Sequence, residues 1–162
     1  MTIFKQILIP VDFSTPSTAA LRLGADMAGR FQGAVTLLHV YDPVPFAVSA
    51  EYEQYSPEQR KQLVTELEKS LAAAKQRAQT AGALNVQTRL LEGYPPNAIV
   101  EFAASGHFDL IVMGTHGRRG IQHALLGSVA ERVVRTAPCA VLTVRAPEVR
   151  ASEAAKVWPP TR

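Results

Sequence analysis

Apolar residues recur along this chain in two rhythms, and the alternation between them predicts its architecture. Residues 7–12, ILIPVD, form a short run dense in branched side chains, the mark of a strand buried on both faces. In STPSTAALRLGADMAGRF, which follows, Thr15 reads as an N-cap with Pro16 at the first helical position. Ala20, Gly24, Met27, Ala28 and Phe31 then share one helical face. Residues 34–40, AVTLLHV, read as a second buried strand. The segment YDPVPFAVSAEYEQYS (41–56) has two prolines and no period, and reads as a connector that could also lid a site.

From 57 to 81 the chain reads as a long amphipathic helix, with Leu63, Leu67 and Leu71 spaced by four and Gly82 as its stop. Residues 85–92 alternate like a strand near a sheet edge. PPNAIVEFAAS reads as a short helix opened by proline and closed near Gly106, and FDLIVMG as a strand. SVAERVVRTA is the next helix, and residues 139–145 the last strand. Strands that alternate with helices and read as continuous apolar runs imply a parallel sheet covered on both faces. The expected fold class is α/β: a single doubly wound domain, with a five-stranded parallel sheet and helices on both faces. It is expected to occupy residues 1–146, and 147–162 to form a flexible tail in which Trp158 is the one residue that could anchor it.

Composition narrows the function classes. The formal charge is +3 and aromatic residues make up 7%, which gives neither a polyanion-binding stripe nor a base-stacking surface, so no nucleic-acid partner is expected. A single cysteine, Cys139, excludes an internal disulfide and a cysteine zinc cluster. The opening apolar stretch is too short for a secretory signal, and no run reaches membrane-spanning length. A cytoplasmic protein with no membrane partner is the expectation.

The candidate chemistry lies in GTHGRRGIQHALLGS, directly after the fourth strand. Gly114, Gly117, Gly120 and Gly127 punctuate it, with Arg118 and Arg119 between them. In open α/β sheets, ligands bind beyond the carboxyl ends of the strands, where the winding reverses. Asp12, the Val40–Asp42 end of the second strand and Gly114 onward all fall at such ends. The Walker A pattern is absent, because Leu126 precedes Gly127-Ser128 and no lysine is present. The dinucleotide fingerprint is absent too, since the glycines run Gly114-x-x-Gly117-x-x-Gly120.

The physical requirement behind both motifs is nevertheless met. Glycines let backbone N–H groups turn onto an anion, a helix begins at Gly127-Ser128, and arginines can add charge-assisted bonds. Ser128 to Glu131 also reads as a capping box, with Ser128 as N-cap; a capping hydroxyl does not exclude a phosphate.

These residues resemble the UspA-type universal stress proteins, whose nucleotide-binding branch carries Gly-x-x-Gly, nine residues, then Gly-Ser/Thr. Here that is Gly114-Thr-His-Gly117, nine residues, Gly127-Ser128. The segments ILIPVDFS, LLHV and PCAVLTV are also similar to that family, and the likeness covers about residues 3 to 145. The resemblance implies a Rossmann-like fold, akin to the adenine nucleotide alpha hydrolases, and an ATP site, with Mg²⁺ carried on the phosphates. By that likeness Asp12 accepts from the ribose hydroxyls, Pro10 and Val11 wall the base, and the Val40 backbone reads the adenine edge. Gly114, Thr115, His116, Gly117 and Arg118 would wrap the phosphates, with Arg119 and Gly120 beside them and Gly127, Ser128 and Val129 closing over. It also implies a regulatory homodimer in stress response, joined through the 139–145 strand.

Residues for catalysis are few. Neither a water-positioning residue nor a set of protein oxygens for a metal is evident. His39 reads as a core or dimer-facing histidine, His116 as a phosphate donor, His123 as solvated and Cys139 as an inert thiol. Besides the regulatory reading, a slow ATPase or nucleotidyl-transfer enzyme on the same pocket and a dimeric scaffold with an empty site stay open. A receiver-type phosphorelay domain is disfavoured, because LLEGYPP follows where its acidic cluster would sit.

Overall fold

The computed structural model of the chain describes residues 4–42, 56–115 and 126–145. The branched runs become five strands: β1 (Gln6–Pro10), β2 (Ala34–Tyr41), β3 (Asn85–Glu92), β4 (Leu110–Gly114) and β5 (Ala140–Val144). Four helices alternate with them: α1 (Thr15–Phe31), α2 (Pro57–Thr80), α3 (Pro95–Ser105) and α4 (Ser128–Thr136). Every pairing is parallel and the order is β3-β2-β1-β4-β5. The chain therefore winds outward from β1 through β2 to β3, then crosses back to β4 and β5. The expected doubly wound sheet is the observed one, and β3, the strand with the clearest alternation, lies at an edge.

Side chains alternate across the sheet and sort its two cores. On one face Ile7, Ile9, Val35 and Leu37 pack with Leu21 and Ala25 of α1 and with Leu71, Ala74 and Ala78 of α2. On the other, Leu8, Leu38 and Ile111 pack with Ile99 and Ala103 of α3 and with Ala130 and Val133 of α4. Ile7, Leu8, Ile9 and Ile111 are wholly buried, each contributing roughly 1.5–3 kcal/mol by leaving water. Of the three leucines expected to face inward from α2, Leu71 is buried while Leu63 and Leu67 are half-buried, and alanines at 74 and 78 continue the stripe.

Two helix ends are set differently from their sequence cues. The N-cap of α1 is Ser14, not Thr15: its backbone is extended (φ −76°, ψ 167°) and its Oγ accepts from the Ser17 N–H at 3.4 Å. Pro16 then stands in the first turn but not at its first position. In α4 the N-cap is Gly127, also extended, so Ser128 is the first helical residue and the expected capping box does not form. Glu131 instead faces Arg135 one turn on, at 3.9 Å. At the end of α2, by contrast, Gly82 stops the helix as expected. At φ 113° it turns the chain so that the Ala83 N–H bonds back to the Ala78 carbonyl at 3.1 Å.

Cys139 is half-buried beside the α3–α4 core. Burial first, and the Asp109 carboxylate second, push its thiol above the ordinary value. The nucleophile is the thiolate, so at pH 7.5 Cys139 is expected to alkylate with iodoacetamide several-fold more slowly than glutathione. A rate equal to or above that of glutathione would contradict this environment. Among the described residues no helix is long and apolar enough to cross a membrane.

Candidate functional site

At the carboxyl end of the sheet the hydrogen-bonded ladder between β1 and β4 ends early, and Pro10 is the cause. The Val11 N–H bonds the Leu38 carbonyl at 2.8 Å, so odd-numbered residues of β1 aim their backbone groups at β2 and even-numbered ones at β4. Pro10 therefore lacks an N–H on its β4 side. The β1–β4 pairing stops at Leu8 with Ile111, whereas β1–β2 pairing runs on to Pro10 and β4–β5 pairing to Gly114 with Val144. The ladder ends early where the winding reverses, the place at which doubly wound sheets bind ligands.

The first rim of this crevice is the turn after β1. Asp12 Oδ1 accepts from the Ser14 N–H at 3.0 Å and from the Ser14 hydroxyl, while the Asp12 N–H donates to Ser17 Oγ at 3.1 Å. The carboxylate is thus aimed by the cap of α1. Asp-x-Ser is a recognisable side-chain turn, so Ser14 was legible in the sequence. Phe13, between them, has φ 65°, unusual for a bulky residue. Pro10 and Val11 are buried beneath this turn.

The second rim is the end of β2. The Tyr41 carbonyl accepts from the Gly93 N–H on the β3 side and the Leu38 carbonyl from Val11 on the β1 side. By alternation, the N–H and C=O of half-buried Val40 face the β1 side, past the point where β1 has ended. Tyr41 itself is tied to β3 through its hydroxyl, which donates to Glu92 at 3.1 Å; Arg60 of α2 approaches the same carboxylate at 3.6 Å. Burial, then the Glu92 bond, raise the Tyr41 phenol above its usual range.

The third rim is β4 and the start of α4. A Cβ on Gly114 would lie 2.8 Å from the Pro16 carbonyl carbon and 2.9 Å from the Ser17 nitrogen. The bare α-carbon thus lets the N-terminus of α1 settle onto the end of β4. The Thr115 N–H bonds the Val144 carbonyl at 2.9 Å, and the Gly127 N–H bonds the Thr115 carbonyl at 2.7 Å. Those two amides are committed within the protein. The Thr115–Gly127 bond also returns the chain to the strand end and starts α4 there. Its N-cap, glycine, offers no capping side chain, and the first-turn N–H groups and helix dipole of α4 favour an anion.

The structure thus brings Pro10, Val11, Asp12, Val40, Gly114, Thr115, Gly127, Ser128 and Val129 to the carboxyl end of three adjacent strands. His116, Gly117, Arg118, Arg119 and Gly120 lie outside the described residues, as do His123, residues 43–55 and the tail. His39 is buried on β2 and, contrary to one expectation, does not stand on the β5 edge. Its Nδ1 lies 2.6 Å from the Val11 carbonyl. The sequence carried no signal for this contact. Among the described residues no three His, Cys, Asp or Glu side chains converge as a metal site.

Comparison with known proteins agrees with this fold. The model of the Universal stress protein family matches residues 3–145. A universal stress protein of Methanocaldococcus jannaschii is 39% identical over 149 residues, covering 90% of this chain and 85% of that protein. Among solved structures, a universal stress protein in complex with cAMP superposes with a TM-score of 0.70 at 26% identity, covering 90% of this chain and 99% of that one. The universal stress protein of Archaeoglobus fulgidus in complex with dAMP gives 0.65 at 25% identity, covering 88% and 99%.

Proposed function

We propose, since this chain belongs to the universal stress protein family, that it is a regulatory adenine-nucleotide-binding protein whose ligand is ATP. The observation that carries the reading is the switch point between β1 and β4, flanked by a fixed carboxylate on one side and by a helix N-terminus with glycine as its N-cap on the other. The chemistry of a nucleotide matches that pair. Asp12 accepts hydrogen bonds from the ribose hydroxyls, and the first turn of α4 takes the phosphates, joined by the glycines and arginines of 116–120. Pro10 and Val11 form the floor beneath the base, and the Val40 N–H and C=O read its edge. The relatives solved with cAMP and dAMP support an adenine nucleotide as the class. Mg²⁺, where present, rides on the phosphates with few protein ligands.

ATP occupancy would act by changing shape or partner choice in the cytoplasm during stress. The assembly proposed for it is a homodimer through β5, a half-exposed edge strand whose outer row of backbone groups is suited to pairing with a second copy. Calorimetric titration of the purified chain is expected to give one ATP site per protomer. Gly117→Val is expected to abolish binding with little change in melting temperature. Unchanged affinity in that variant would remove the glycine stretch from the site.

A further inference from the structure

We infer that His39 is a positioning residue for the nucleotide site, holding the turn after β1 in the shape that aims Asp12; this rests on the nucleotide-binding reading above. His39 comes from β2, 28 residues away from the turn in sequence, and its ring lies on the α1–α2 face of the sheet. Only 9% of the residue is exposed. A buried strand position ordinarily takes an aliphatic residue, and a buried polar ring is tolerated where its hydrogen bonds are used.

Two contacts show what this ring does. Its Nδ1 stands 2.6 Å from the Val11 carbonyl oxygen. A carbonyl only accepts, so Nδ1 carries the proton and donates. The same ring lies against Phe13, with centroids 4.7 Å apart and planes tilted by 34°. The contacts therefore bracket Asp12, one on the residue before it and one on the residue after.

The turn needs such support. Phe13 sits at φ 65°, a left-handed conformation that an aromatic residue adopts only where its surroundings enforce it. The Phe13 ring stacked on His39 and the Val11 carbonyl bonded to the same imidazole hold both flanks of the turn to β2. The Ser14 bonds then orient the carboxylate. In this arrangement His39 acts through the turn that carries Asp12.

The test compares ATP with 2′,3′-dideoxy-ATP, which lacks the hydroxyls that Asp12 would receive, by calorimetry on the full chain and its variants. His39→Leu is expected to weaken ATP binding roughly tenfold while changing dideoxy-ATP by no more than about twofold. His39→Asn, whose amide nitrogen can reach the same carbonyl, is expected to recover most of the loss. In an Asp12→Ala background His39→Leu should have no further effect, because the group it positions is gone. Equal weakening of both nucleotides, or a full additive loss in the double variant, overturns the inference and makes His39 a core residue only. If His39→Leu does not fold by circular dichroism, Phe13→Asn carries the same comparison and is read in the same way, since asparagine tolerates the left-handed backbone. Failure of the unaltered chain to bind ATP at all would end the nucleotide reading and this inference together, whereas additivity with binding intact ends the inference alone.

Discussion

Replacing Asp12 by alanine is expected to lower ATP affinity about a hundredfold. Two charge-assisted hydrogen bonds from the ribose diol, at roughly 1.5 kcal/mol each, amount to about 3 kcal/mol, and each 1.4 kcal/mol is tenfold in affinity. The substitution also removes the acceptor of the Ser14 N–H and hydroxyl, so a smaller loss of stability, on the order of 1 kcal/mol, should accompany it. Asp12→Asn separates the two effects. Its amide oxygen can still accept from Ser14, so stability should stay near that of the parent while affinity falls. Calorimetry paired with urea denaturation reads both quantities. An Asp12→Ala protein that binds ATP as tightly as the parent would show that the carboxylate serves the turn and not a ligand.

The largest structural effect is expected at Gly114. A methyl group there would press on the backbone of Pro16 and Ser17 at 2.8–2.9 Å, not on the yielding end of a side chain. Relief requires α1 to lift from β4, so Gly114→Ala should destabilise the fold by roughly 1–3 kcal/mol, and Gly114→Val by more. Because α1 carries the cap that aims Asp12, ATP affinity should fall with stability in both variants. Urea midpoints within error of the parent would mean that the two elements do not meet as closely as described.

The architecture was legible because burial on both faces leaves continuous apolar runs in the sequence. β3, an edge strand, kept its alternation and so announced its position. Ends of elements were less legible. The apolar run of the first strand extends to Asp12, but the strand stops at Pro10, and Ser14, not Thr15, caps α1. Ser128 resembles a cap because serine precedes glutamate by three. The cap falls on Gly127 instead, which the Thr115 carbonyl holds at the strand end. That bond joins two segments across the glycine stretch, and no local pattern reports it.

The candidate site was visible as Asp12, Val40 and Gly114 at strand ends, yet the reason for Gly114 was not. Its constraint comes from α1, nearly a hundred positions earlier in the chain, and is a matter of tertiary packing. The consequence of Pro10 was hidden in the same way. A proline in a strand says only that a donor is missing; which neighbour loses it depends on the strand order. His39 reads as a bland core residue because its partners, Val11 and Phe13, adjoin it only after β1 and β2 have paired.

The functional reading stands on one placement: an adenine nucleotide across the β1–β4 switch point, with its phosphates on the first turn of α4. Backbone amide chemical shifts of isotope-labelled protein, recorded during an ATP titration, probe that placement residue by residue. The largest shifts are expected at Asp12, Val40, Ser128, Val129 and Ala130. Shifts confined to the opposite end of the sheet, around Gln6, Gln87 and Arg89, or none at all at saturating ATP, would contradict it.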